Sequence, residues 1–380
     1  MFSNDSKHIF AALDGWRGVC ALLVALLHFP GFGYFYEIDF VRRSGLFVDF
    51  FFVLSGFVIS FNYRGQIGGL ADIRGFMLKR FARLWSLHVT VLVFLISLEV
   101  VKLALSGWYG ASAEAPFAGS RSVCSIVSNL FLAQVFFCGG WNPVASSISA
   151  EFYTYLVFAV AALFFSKDDW RGHTLLVVVA TIILGLFQSR YMVAHFLDFF
   201  QCVQCFFIGC MVLMLFENTR HRFSDKWLRL LEWSSLALVI VFVSNASSWQ
   251  IKLFSPLVFG LTVYVFAFER AEVSALFKCR PLQYLGAISY SIYMIHESIL
   301  IVCGSALNIL QKKLGFNILG SYWSNDFSTF FPVWQLEQRH YLDISAALYL
   351  VAVILLSGLT YNYIEKRGGS WVKSLTQKYV

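Results

Sequence analysis

Residues 13–28 read Leu13-Asp14-Gly15-Trp16-Arg17-Gly18-Val19-Cys20-Ala21-Leu22-Leu23-Val24-Ala25-Leu26-Leu27-His28. An apolar run of this kind is a helix buried all round, by lipid or by other helices. Its charges stand out, because an ionised group at mid-membrane costs about 2.5–3.5 kcal/mol even on the lenient insertion scale. Asp14 and Arg17 are three residues apart, so they share a face and can pair. Arg17 and His28 are eleven apart. That is close to three turns, which puts both on one stripe about 16 Å apart along the axis. Such a stripe suits a solvated track leading from one membrane face to a buried imidazole. The plainer alternative is an Arg17 that snorkels to the interface and a His28 that makes one hydrogen bond to a neighbouring helix. Spacing alone leaves both open.

The rest of the chain agrees with a membrane setting. Of 380 residues, 58% are hydrophobic and 13% charged, against about 25% charged in soluble domains. Too little charge is present to cover a soluble globule, which excludes a soluble enzyme, a disordered regulator and a nucleic-acid binder. The chain therefore reads as an all-α polytopic transmembrane helix bundle of about ten spans. These fall near 15–36, 45–62, 84–105, 147–165, 174–189, 197–216, 233–248, 251–268, 285–310 and 341–363. The apolar stretch 123–138 is too short to cross and reads as a half-inserted or interfacial helix.

Lys and Arg set the orientation. With the N-terminus inside, the inner segments carry about twice the Lys and Arg of the outer ones. They include Arg74, Lys79, Arg80 and Arg83, then Arg220, Arg222, Lys226 and Arg229, then Lys366, Arg367, Lys373 and Lys378. Both termini are thus expected in the cytoplasm, with 1–12 an N-terminal segment, 13–365 one membrane domain and 366–380 a tail. No removable leader is expected, because the first apolar run contains Arg17 and His28. The eight cysteines mostly fall in apolar helices and read as small core fillers. Cys202 and Cys205 form a CxxC without a companion pair. Neither a metal site nor a disulfide framework is expected.

Four further stretches carry polar groups where lipid would exclude them. Phe76-Met77-Leu78-Lys79-Arg80-Phe81-Ala82-Arg83 opens the third span, with Arg80 and Arg83 on one face and Lys79 beside them. Guanidinium forks suit phosphate oxygens; ordinary positive-inside residues would read the same way. Ser147-Ile148-Ser149-Ala150-Glu151 opens the fourth span, and Glu151 is either a dipole-favoured carboxylate or an acid that orients a His or a sugar hydroxyl. In Leu285 to Glu297, Ser289, Tyr293 and His296 fall near one face, as a polar seam between helices or as a substrate surface. Tyr363-Ile364-Glu365 closes the last span.

Together these stretches resemble the membrane acyltransferase-3 family, transmembrane enzymes that O-acylate polysaccharides and other glycans. The likeness runs through Arg17 followed by His28, through Gly45-Leu46-Phe47-Val48-Asp49-Phe50-Phe51-Phe52-Val53-Leu54-Ser55-Gly56-Phe57, and through Arg80-Phe81-Ala82-Arg83. It ends with Leu285-Gly286 to His296 and Tyr363-Ile364-Glu365. The family's Trp-Ser-Leu-Ser-Val-Glu pattern stands here as Ser147 to Glu151, with Trp141 displaced upstream, and Lys366 follows Glu365 where a Pro often stands. The resemblance implies an acyltransferase of the cytoplasmic (inner) membrane that takes an acyl group from a cytoplasmic acyl-CoA, most often acetyl-CoA. The acceptor would be a hydroxyl of a glycan or a lipid-linked saccharide, and no metal is involved. It implies His28 as catalytic base, or as the site of a transient acyl group, aided by Asp14, Arg17 and Glu151. Arg80, Arg83 and Lys79 would hold the CoA phosphates, and Tyr293, His296 and Trp141 would bind substrate.

The outer loops 107–146 and 311–340 carry Trp108, Tyr109, Trp141, Tyr322, Trp323 and Trp334, which suit either sugar stacking or an interfacial belt. The competing function is a transporter or flippase of a lipid-linked sugar or organic ion. It also predicts many helices and a few buried charges, but the two halves of the chain do not look alike, as transporter repeats tend to.

Overall fold

A computed structural model describes residues 10–104, 117–165, 169–187, 194–315, 319–324, 329–336 and 338–368. Among them, nine helices are long and apolar enough to cross a membrane. We number the helices that matter α1 (Ala11–Leu27), α2 (Phe47–Tyr63), α3 (Leu70–Ala104), α4 (Val123–Leu130), α5 (Ser146–Phe164), α6 (Trp170–Phe187) and α7 (Ala194–Thr219). They continue with α8 (Asp225–Asn245), α9 (Ser255–Phe266), α10 (Glu272–Phe277), α11 (Arg280–Ala287), α12 (Ser289–Leu314) and α13 (Arg339–Thr360).

The first helix departs from expectation. It ends at Leu27 rather than near residue 36 and is 17 residues long. Pro30 lacks an amide hydrogen, and Gly31 and Gly33 follow it, so the helix stops and short turns at Tyr34–Glu37 and Asp39–Arg42 take over. His28 thereby becomes the C-terminal boundary residue of α1. At the other end, the Ala12 N–H donates to Glu269 Oε1 at 2.6 Å, a helix start satisfied by a distant segment.

Glycines explain how closely α1 is held. A methyl group on Gly15 would strike the Phe277 carbonyl, and one on Gly18 would strike the backbone at Leu285–Gly286. Small residues of this kind let helices approach where lipid gives no hydrophobic drive. Trp16 then stacks on Phe277, ring centroids 4.5 Å apart. The result is a helix packed on α2, α10, α11 and α12, which fixes the heights of Asp14, Arg17 and His28 against their neighbours.

Two expectations need correction. The bundle is not wholly helical, since Leu319–Ser324 and Thr329–Trp334 form an antiparallel hairpin (β1 and β2) within the 311–340 loop. The Trp334 N–H donates to the Pro30 carbonyl at 2.7 Å, which ties this hairpin to the turn after α1. Cys124 and Cys138 form a disulfide, where a core-filling role was expected. It joins α4 to the turn after it, so the interfacial stretch 123–138 is a short helix and a covalently closed loop. Trp108 and Tyr109 lie outside the described residues, as do 1–9 and 369–380, and of Tyr322 and Trp323 only the strand backbone is described. Lys366 to Gly368 continue the last helix past a π-turn at Tyr361–Glu365.

Candidate active site

A cavity of about 270 Å³ opens between α1, α2, α3, α5 and α12. Asp14 and Arg17 line it from α1, Arg80 and Arg83 from α3, Glu151 and Tyr155 from α5, and Ser289, Tyr290 and Tyr293 from α12. Three guanidiniums thus face two carboxylates around one space, so the lining carries a net positive charge that favours an anionic guest.

Most of these charges have a partner. Arg17 Nη1 pairs with Asp14 Oδ1 at 3.2 Å, the pairing that their spacing predicts. Arg80 donates to the Tyr63 hydroxyl at 2.8 Å and lies 4.9 Å from that ring's centroid and 5.7 Å from the centroid of Phe76. Its buried Nε has no hydrogen-bond partner in the protein. A guanidinium fixed by one hydrogen bond and two rings is preorganised to present its remaining terminal N–H groups to an oxyanion. Arg83 is exposed at the cavity mouth. Glu151 accepts the Tyr155 hydroxyl at 2.5 Å, and Tyr155 also meets Ser55 Oγ at 3.0 Å.

The remaining residues of interest scatter. Lys79 projects from α3 as an exposed side chain away from the cavity lining. Trp141 is 1% exposed and touches Phe117 edge-on. It packs in the core and does not line the cavity, so no sugar-stacking surface forms there. Glu365 accepts a hydrogen bond from Ser291 at 2.9 Å.

His28 also lies outside the cavity lining. The cavity's far wall is Tyr293, whose hydroxyl meets Ser147 Oγ at 2.7 Å and whose ring is 6.1 Å from that of Phe51. One turn further along α12 is His296, its ring centroid 6.0 Å from Tyr293 and 5.0 Å from His28. The expected track from Arg17 to His28 is therefore interrupted by one aromatic layer. Beyond that layer, a ring nitrogen of His28, a ring nitrogen of His296 and a carboxylate oxygen of Glu297 all lie within 4.8 Å of one another. Two imidazoles and a carboxylate form a donor set of a kind that transition metals accept.

Sequence reasoning placed Asp14, Arg17, Arg80, Arg83, Glu151 and Tyr293 on four helices, and the fold gathers these six around one cavity. It assigned no role to Tyr155, Tyr290, Ser55 or Glu297. Tyr155 was within reach as the i+4 partner of Glu151. Glu297 had only its adjacency to His296 as a signal.

Against known proteins, the chain matches the acyltransferase-3 family, described as an acyltransferase domain, over residues 10–361. It is 41% identical over 94 residues, 24% of this chain and 47% of the relative, to "Protein 2 in picA locus" of Rhizobium radiobacter. It is 21% identical to the peptidoglycan O-acetyltransferase OatA of Listeria monocytogenes, over 83% of this chain and 53% of that protein. The chain spans about half the length of the curated relatives it matches. No solved structure matches it. With a family match running from the start of α1 to the end of α13, through every helix that lines the cavity, the chain belongs to the acyltransferase-3 family.

Proposed function

We propose that this chain is an integral membrane O-acyltransferase that moves an acyl group, most readily acetyl, from acyl-CoA to a hydroxyl of a glycan or glycolipid. The observation that carries the reading is the juxtaposition of a guanidinium-lined cavity with an imidazole pair one aromatic layer away. CoA brings several phosphate charges, and Arg80 with Arg83 supplies matching donors at one end of that cavity. The acyl thioester would extend past Arg17 and Tyr155 toward Tyr293. The family membership favours acyl transfer over the transporter reading.

In this proposal both termini are cytoplasmic and α1 is a tenth span, which places the Arg80 end of the cavity inside and the His28 end toward the outer face. The Cys124–Cys138 disulfide supports that orientation, because disulfides persist in oxidising compartments. The membrane is then the cytoplasmic membrane of the cell. A glycan acceptor is the reading that the peptidoglycan-modifying relative supports.

His28 is the general base. Its Nδ1 faces the Val24 carbonyl at 2.8 Å. A carbonyl only accepts, so Nδ1 carries a hydrogen, and in the neutral ring the lone pair is on Nε2. The acceptor O–H proton moves to Nε2 while its oxygen attacks the thioester carbon. The C–S bond breaks, and the proton passes to the departing thiolate. Asp14 and Arg17 position the donor, while Glu151, through Tyr155, shapes the wall that it passes.

The test is acetyl transfer from radiolabelled acetyl-CoA to a chito-oligosaccharide by the purified chain in liposomes, with mass spectrometry to locate the ester. His28→Ala abolishes transfer while the protein stays folded. Full activity in that variant would falsify the base assignment. An acetyl-CoA KM unmoved by Arg80→Ala combined with Arg83→Ala removes the phosphate clamp.

A further inference from the structure

Beyond the Tyr293 layer, the end of α1 meets α12 and three donor groups come together. His28 is the boundary residue after the last turn of α1. His296 and Glu297 are neighbours on α12. Consecutive helical residues point about 100° apart, so their meeting with one residue of another helix is a product of the fold. The two imidazole centroids are 5.0 Å apart, with the ring planes at 61°. One donor atom from each of His28, His296 and Glu297 lies within 4.8 Å of the other two.

The hydrogen bonds leave both rings ready for a cation. Nδ1 of His28 donates to the Val24 carbonyl at 2.8 Å, and Nδ1 of His296 to the Ile292 carbonyl at 3.1 Å. A backbone carbonyl on one ring nitrogen is the usual way in which a metal-binding histidine is oriented. His296 is fully buried, and its Nε2 has no hydrogen-bond partner, an atom that needs a reason. The neighbouring hydroxyls are engaged elsewhere: that of Tyr349 with the carbonyls of Ala25 and His296, and that of Tyr293 with Ser147. His28 and Glu297 are half-buried, which gives an ion a way in and leaves both side chains room to adjust. Tetrahedral zinc, at about 2.0–2.1 Å from its nitrogen and oxygen ligands, sets the donors about 3.4 Å apart. The two half-buried side chains supply that small inward movement. Two neutral nitrogens and one carboxylate are a set that zinc accepts, with a fourth position left to water.

We propose that His28, His296 and Glu297 form an inhibitory zinc site, in which the metal takes the Nε2 lone pairs of both rings and one oxygen of Glu297. With the His28 lone pair on zinc, an acceptor hydroxyl has no base, so acyl transfer stops. The guanidinium-lined cavity lies on the other side of Tyr293 and still admits acyl-CoA. Removal of the metal returns the lone pair and the activity. The inhibition rests on the reading of His28 as base given above; the binding of zinc does not. Chain spacing gives no hint of the site, because its two halves lie near opposite ends of the sequence.

The experiment is calorimetric titration of zinc chloride into the full chain in detergent micelles after chelator treatment, with zinc X-ray absorption spectra and the transfer assay alongside. One equivalent of zinc is expected to bind, with nitrogen and oxygen neighbours, imidazole scattering and no sulfur. His296→Ala and Glu297→Gln should each weaken binding at least about tenfold, the low end of what even an outer-shell partner costs. In the assay, zinc should lower kcat without moving the acetyl-CoA KM, and EDTA should restore the rate. Each variant, compared with its own zinc-free rate, should need at least about tenfold more zinc for the same inhibition. Zinc that binds equally to wild type and both variants, or that has sulfur neighbours, overturns the site. Bound zinc that leaves transfer untouched overturns the inhibition, and a rate that falls on chelation overturns it in favour of a catalytic ion. The titration needs no turnover. Zinc held through these residues by a chain that transfers nothing keeps the site and sinks the acyltransferase reading, and transfer without zinc binding does the reverse.

Discussion

The two ends of the polar interior are built on opposite rules. In the cavity every carboxylate has a partner: Asp14 has Arg17, and Glu151 has Tyr155. Donors there are in surplus, since three guanidiniums face two carboxylates. Beyond the Tyr293 layer the surplus is of acceptors, two imidazole lone pairs and a carboxylate. The difference teaches a division of labour. A donor-rich space holds an anion such as a phosphate, and an acceptor-rich space takes a proton. The proposed acyl transfer from CoA to a hydroxyl would use both, with the thioester passing Tyr293 to reach the imidazole end.

That contrast breaks most sharply at His28. His28→Ala is expected to lower the transfer rate by about 10³-fold, the range of lost general-base catalysis, with acetyl-CoA affinity intact by thermal-shift titration. If binding falls and rate survives, the two ends have been assigned the wrong way round. The loop beside the imidazole end is closed by Cys124–Cys138 and reaches it through Asn142, which donates to the Met294 carbonyl at 2.9 Å. Cys124→Ser together with Cys138→Ser should cost about 3 kcal/mol of stability in the chain-entropy picture, seen as a lower Tm in detergent. An unchanged Tm would mean that packing alone holds that loop.

At the donor-rich end the effect is on binding. Arg80→Ala with Arg83→Ala should raise the acetyl-CoA KM about tenfold to a hundredfold, given about 1.5–3 kcal/mol for a charged hydrogen bond, with kcat little changed. Dephospho-CoA thioesters should lose much of the discrimination between wild type and variant, and equal sensitivity to both donors would argue against a phosphate clamp. The smallest change is Tyr155→Phe, which frees Glu151 from its 2.5 Å hydrogen bond. It should cost about 1 kcal/mol, read as a few-fold rise in KM, and a large fall in kcat would make Tyr155 part of the chemistry.

Much of the scaffold was legible because its cause is local. Apolar runs of membrane length gave nine of the crossing helices, and the i,i+3 spacing gave the Asp14–Arg17 pair. The first apolar run outlasts its helix, because hydropathy continues past Leu27 through Phe29 and Phe32 while Pro30 ends the helix. The hairpin at 319–334 and the disulfide escaped notice because both depend on partners that sequence spacing does not fix. Trp141 looked like a sugar platform from composition; burial made it core.

By itself the sequence determined that this chain lives in lipid, which of its charges are anomalous, and which family its motifs resemble. Those follow from transfer free energies and helical periodicity, which depend on neighbours along the chain. Only the tertiary structure decided that six residues from four helices share one cavity, that Tyr293 closes it, and that Glu297 lies near two imidazoles. Such meetings depend on how close the backbones of α1, α11 and α12 come. That closeness is set by the glycines at 15, 18 and 286 against their partners, and helical periodicity carries no term for distance between helices.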